Sequence, residues 1–249
     1  MRTHVYFNGI DLTRDFYVSD LRMPLLPVNV NTRGVSGRDG SVYCGSTLAQ
    51  RSMLLTLTVK DEDIERRQAA ARRLASALAV EEPKPLALSI DGGLYYMAMP
   101  TSGEDGLRRA TSTRYDVEFV CPDPVAYGRQ VSVAVPSTGT KSATFVVGGT
   151  YEAMPVVTAP IASADEGDFW KLALEDGSYL YYEPTYTGAA YTETLVADCA
   201  ERTLKADGHT RLLIPQADWL VLTPGQHTLT LSGDAASGDV TVTYRERWL

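Results

Sequence analysis

VSGRDGSVYCGSTLAQRSMLLTLTV, residues Val35–Val59, changes character halfway along, and the fold follows from that change. Its first part carries Gly37, Arg38, Asp39 and Gly40 just after Gly34, a concentration of glycine and charge that suits a turn. Its second part runs into Arg51–Lys60, a strand by strict alternation. Met53, Leu55, Leu57 and Val59 fall on one face; Ser52, Leu54, Thr56 and Thr58 fall on the other. A glycine-rich turn feeding a long strand reads as a hairpin in a β-domain.

Outward from this stretch the pattern stays β. Upstream, Val5–Leu12 (VYFNGIDL) reads as a short hairpin about Asn8-Gly9, a pair suited to a type I′ turn. Leu12–Leu21 reads as a loop or short strand. Pro24 and Pro27 exclude a central strand between them, and Val28–Val30 begins the next one. Downstream lies the single helix pattern, over about residues 61–80. Asp61 is the expected N-cap, and Ile64, Ala71, Leu74, Ala75 and Leu78 form the expected apolar stripe, ended by Pro83 and Pro85. Leu86–Ile90 and Leu94–Met99 flank an Asp91-Gly92-Gly93 turn. Ser102–Arg109 reads as a polar loop, and Thr111–Cys121 as a strand closed by Pro122-Asp123-Pro124.

Beyond Tyr127 ten short β-like runs recur between Gly-containing turns, with no further helix pattern. This is the signature of an antiparallel β-sandwich or jelly roll. The chain is therefore expected to be mostly β and two-domain, residues 1–132 with one helix and residues 133–249 as the sandwich.

Composition narrows the function. Lys and Arg number 23 against 31 Asp and Glu, a net charge of −8, which argues against a protein that grips nucleic acid by its phosphates. No apolar run approaches the length of a membrane helix, and the opening MRTHVYFNGIDL lacks the layout of a secretion signal. Cys44, Cys121 and Cys199 are widely spaced and expected to be plain thiols.

Catalytic chemistry finds little to build on. His4, His209 and His227 stand in no HExxH or His-x-His pair, and GxSxG, Walker and GxGxxG motifs are absent from the sequence. Asp61, Glu62 and Asp63 suit a helix start, and Asp165, Glu166 and Asp168 a polar loop rather than a calcium loop. No catalytic residue, cofactor or metal ligand is assigned. The aromatic cluster Trp170, Tyr179, Tyr181, Tyr182, Tyr186 and Tyr191 offers one alternative. Trp170, Tyr179 and Tyr181 on an exposed face would stack on sugars, making the chain a carbohydrate-binding sandwich that recognises host cell-wall glycans.

Four segments in order resemble the distal tail proteins of long-tailed phages that infect Gram-positive bacteria. They are FNGIDL (Phe7–Leu12), GRDG (Gly37–Gly40) leading to a long strand and helix, FVCPDPVAYG (Phe119–Gly128), and the tail from LVADC through LTPGQHTLTLSG to VTVTYRERWL. The resemblance implies an N-terminal domain that forms a homo-hexameric ring and a galectin-like second domain that projects outward. It further implies a structural adaptor at the virion tail tip that joins the tail tube protein to the tail-associated hub protein and to receptor-binding proteins. On that reading Gly37, Arg38, Asp39, Gly40, Val42 and Tyr43 lie in an arm that clasps a neighbouring subunit.

Overall fold

A computed structural model describes residues 3–109, 111–186 and 188–249, and the chain is mostly β with a single α-helix among them. It divides into two compact units between Tyr127 and Gly128. The boundary read from the sequence, 132/133, lies in the same strand, Ala126–Val135.

The first unit holds β1 (Val5–Phe7), β2 (Ile10–Asp11), β3 (Tyr17–Arg22), β4 (Val28–Gly34), β5 (Ser41–Leu48) and β6 (Arg51–Lys60). Helix α1 (Ile64–Leu78), β7 (Lys84–Leu88), β8 (Tyr95–Arg108) and β9 (Ser112–Cys121) follow. Seven of these strands pair in the order β3-β6-β9-β8-β7-β1-β2. Strand β8 bends the assembly by pairing with β7 through Tyr95–Ala98 and with β9 from Met99 onward. The turn Asn8-Gly9 has positive φ at both residues, as type I′ requires.

Strand β6 is held between β3 and β9 and is buried along most of its length. Met53, Leu55, Leu57 and Val59 are all buried, as are Phe7, Leu86, Leu88 and the cross-strand neighbours Val117 and Phe119. Each such large side chain contributes about 1.5–3 kcal/mol on leaving water. The opposite face of β6 carries Leu54 beside the buried Thr56 and Thr58. Thr56 donates to Asp116 at 2.6 Å, and the Asp116 carboxylate also accepts from Arg114.

Three sequence expectations need correction here. The helix starts later, with Asp63 rather than Asp61 as N-cap; Asp63 Oδ1 accepts from the N–H of Glu65, and Asp61 Oδ1 accepts from that of Asp63. Its buried face is Arg67, Ala70, Leu74 and Ala77, while Ile64 is 58% exposed. Alanines on every side flatten the apolar signal. Arg67 lays its stem on the core side and donates to the carbonyl of Arg109. Third, Ser102–Arg109 is not a loop: β8 continues to Arg108, its backbone paired to β9 through two register shifts.

The second unit contains β10 (Ala126–Val135), β11 (Ser142–Val147), β12 (Val156–Ser163), β13 (Trp170–Leu174) and β14 (Tyr179–Tyr182). Then come β15 (Tyr191–Asp198), β16 (Thr203–Ala206), β17 (His209–Arg211), β18 (Gly225–Ser232) and β19 (Val240–Trp248). One sheet runs β17-β16-β15-β12-β19-β10 and the other β11-β18-β13-β14. The inward residues of both, among them Val157, Ile161, Leu195 and Leu204 facing Leu172, Leu180, Leu229 and Leu231, make one core.

Candidate functional site

Strands β4 and β5 pair with each other in a sheet of their own, with no other strand among the described residues. Every residue of β4 is exposed, and so is most of β5. The arm is therefore the whole of Val28–Leu48, and β6 is not its second strand. The chain leaves the hairpin at Ala49-Gln50 and only then enters the core. An isolated two-stranded hairpin is at best marginally stable in water.

The register gives the arm two unlike faces. Val28 pairs with Leu48, Val30 with Ser46 and Thr32 with Tyr43, so these six share one side. The hydroxyl of Tyr43 donates to Ser46 Oγ at 2.9 Å on that side. Asn29, Asn31, Arg33, Thr47 and Val42 take the other. A bulge between Val30 and Thr32 keeps the faces separate. Gly45, at φ +114°, absorbs the extra residue; without it Tyr43 would turn to the polar face. Val30, Val28 and Tyr43 are 59%, 41% and 62% exposed. Together they make an exposed, largely apolar strip along the arm.

The tip is Val35–Gly40, with Gly37 and Gly40 both at positive φ. It carries Arg38 and Asp39 as a pair of exposed opposite charges. Thus Gly37, Arg38, Asp39, Gly40, Val42 and Tyr43 all fall within one hairpin, at its tip and on its return strand. The alternation of Val28 and Val30 after Pro27 is the signal for the outgoing strand, which runs on to Gly34.

The root of the arm is tied down. The N–H of Ala49 donates to the carbonyl of Pro27 at 2.9 Å. Arg51, 2% exposed, donates from Nη1 to the carbonyl of Pro24 and from Nε to that of Pro124, and its guanidinium lies over the ring of Tyr96. Beside this root, on the outer face of β3, β6 and β9, lies an open groove of about 460 Å³. Leu21, Met23, Pro24 and Leu54 supply its apolar lining, and Arg22 and Glu118 its charges.

The three thiols differ sharply. Burial pushes those of Cys121 and Cys199 up to about 12, whereas Cys44 is exposed on the arm. The chain thus carries a single accessible thiol, placed on the hairpin.

The aromatic platform does not form as expected. Trp170 is fully buried and pairs with Tyr182 on the inner face of its sheet. Tyr179 and Tyr181 lie on the outer face, so the three rings stand on opposite sides. Strand β13 places its first residue inward, a phase that alternation alone leaves open. One face of the Tyr181 ring stacks on Phe169, and Lys171 sits over Tyr179 at 3.9 Å. Tyr182 donates to Glu193 at 2.7 Å, and burial followed by that carboxylate pushes its phenol up to about 12. Among the described residues no group of three His, Cys, Asp or Glu side chains lies close enough to hold a metal ion.

A phage tail protein RIFT-related domain matches residues 10–121, and a siphovirus-type tail component C-terminal domain matches residues 148–248. The distal tail protein of Bacillus phage SPP1 is 25% identical over 252 residues, spanning 98% of this chain and 94% of that one. The crystal structure of the SPP1 Dit protein, described as a paradigm of the hub adsorption apparatus in phages infecting Gram-positive bacteria, superposes with a TM-score of 0.80. It is 18% identical, and each chain is covered in full.

Proposed function

The chain belongs to the Dit-like family of siphophage distal tail proteins, and from that premise we infer that its working form is a homo-hexameric ring at the virion tail tip. The protein is a structural component of the distal tail and baseplate hub. In the ring it has no chemistry of its own; it joins the tail tube protein to the tail-associated hub protein and offers docking for receptor-binding proteins.

The observation that carries the ring is the arm, a hairpin whose apolar face stays exposed among the described residues of its own chain. The charge distribution supports the first unit as the ring former. Residues 1–127 hold fifteen Lys and Arg against sixteen Asp and Glu; residues 128–249 hold eight against fifteen. Near-neutral units can pack side by side without net repulsion, while the acidic second units repel one another and keep the assembly soluble.

The test combines light scattering over a concentration series with a spin label on Cys44. The expected result is a closed oligomer whose formation slows the label, and a monomer when Gly37–Cys44 is deleted. A deletion variant that still assembles normally would sink the reading of the arm as a clasp.

A further inference from the structure

We propose that the groove at the arm's root is the receptor for the arm tip of the next copy, with Arg38 of the tip meeting Glu118 of the groove and Asp39 meeting Arg22. The proposal rests on the reading of the arm as a subunit clasp and names the surface it clasps.

Reach decides that the tip in question belongs to another copy. Strand β4 has seven residues. At the rise of an extended strand these carry the tip roughly 24 Å from the root. The groove is lined by Met23 and Pro24, only a few residues before β4 begins. A hairpin held extended by its own ladder does not fold back that far, so a chain's tip and its own groove stay apart.

Chemistry decides that they match. Arg38 and Asp39 sit in a tight turn between glycines, with no ion pair to the rest of the chain among the described residues. The groove presents one residue of each sign beside an apolar floor of Leu21, Met23, Pro24 and Leu54. Arg22 is held by Asp20 at 2.7 Å with its side chain 73% exposed, an ion pair weak enough to exchange for an incoming carboxylate. Leu25, 94% exposed, and Leu26 extend the apolar surface at the root. Leu54 and Glu118 are direct cross-strand partners, so floor and charge are held in fixed relation.

Symmetry gives the consequence. Each copy would offer one tip and one groove on different surfaces, a head-to-tail contact that propagates around a ring when its rotation closes.

The test is charge reversal in the full chain. Arg38→Glu and Glu118→Arg are each expected to raise the assembly midpoint concentration roughly tenfold or more, and the double variant to recover most of that loss. Recovery is the readout that mere misfolding would not give. A second measurement uses Asp39→Cys with Leu54→Cys in a Cys44→Ser background, expected to give disulfide-linked multimers on mild oxidation. A double reversal as weak as the singles, or a cysteine pair that never cross-links between copies, would overturn the groove assignment. If the wild type assembles and needs the arm in either case, the clasp stands and only its receptor is wrong. If deleting the arm changes nothing, the clasp itself fails.

Discussion

The Arg51 guanidinium donates from Nε to the carbonyl of Pro124, 73 residues along the chain, at 2.7 Å. A second donor of the same group, Nη1, reaches the carbonyl of Pro24 at 3.2 Å. One buried side chain thus fastens the start of β6, the approach to the arm and the corner that closes the first unit.

Removing that fastener should unfold the first unit selectively. Charge-assisted hydrogen bonds are worth more than neutral ones, so Arg51→Ala is expected to cost about 3 kcal/mol. The units can be watched separately. Among the described residues the one α-helix lies in the first, and Trp170, Trp219 and Trp248 all lie in the second. The helical dichroism transition should move to lower urea while the tryptophan fluorescence transition stays where it is. Equal movement of both would show that the fastener is not local.

The bulge at Gly45 should matter to assembly and not to folding. Gly45→Val puts a β-branched side chain at φ +114°, where it is strained, and favours a regular ladder that turns Tyr43 to the polar face. Assembly should weaken by roughly tenfold or more, as loss of an aromatic anchor does, with both unfolding transitions unchanged. Light scattering of the variant beside Tyr43→Ser checks this, because the two should behave alike.

Glu175 gives the second unit a dependence on acid. Burial raises its carboxyl, but the N–H of Thr228 and the ring of His227, 2.6 Å away, together hold it below its ordinary 4.5. A lowered carboxyl stabilises the fold above its unfolded value, and that contribution disappears as pH falls through the folded value. The side chain is 43% exposed, so solvent screens part of the effect. Glu175→Gln is expected to cost about 1 kcal/mol at neutral pH. It should also flatten the fall in tryptophan-detected stability between about pH 5 and pH 3. A wild-type profile already flat there would contradict the assignment.

Trp170 is a core residue, and its removal should be felt as instability. Trp170→Ala is expected to destabilise the second unit by about 3–5 kcal/mol. Tyr181→Ala, on the outer face, should cost far less. Urea titration followed by fluorescence of the remaining tryptophans separates them, and equal costs would mean that the inner and outer faces are misassigned.

Much of this was legible from the chain alone. Alternation located β6 and β9 and most short strands of the second unit, because a two-residue side-chain period is a local property; the run expected at Arg211–Ile214 instead pairs as β17, His209–Arg211. The Asn8-Gly9 and Asp91-Gly93 turns were readable because only certain residues take positive φ cheaply. The helix face was misjudged because alanine marks both sides alike. The strand at Ser102–Arg108 was missed because its ladder to β9 is a tertiary fact that its polar composition conceals.

What residues Val35–Val59 determined by themselves was a turn and a strand. Only the tertiary structure decided that the turn belongs to a free-standing hairpin and the strand to the core. It also decided that Tyr43 shares a face with Val28 and Val30, and that Trp170 turns inward. Each of these depends on which strand lies beside which and in what register, and a register shift of one residue exchanges every inside for an outside. Local sequence sets the period of a strand, but its phase is set by the partner against which it packs.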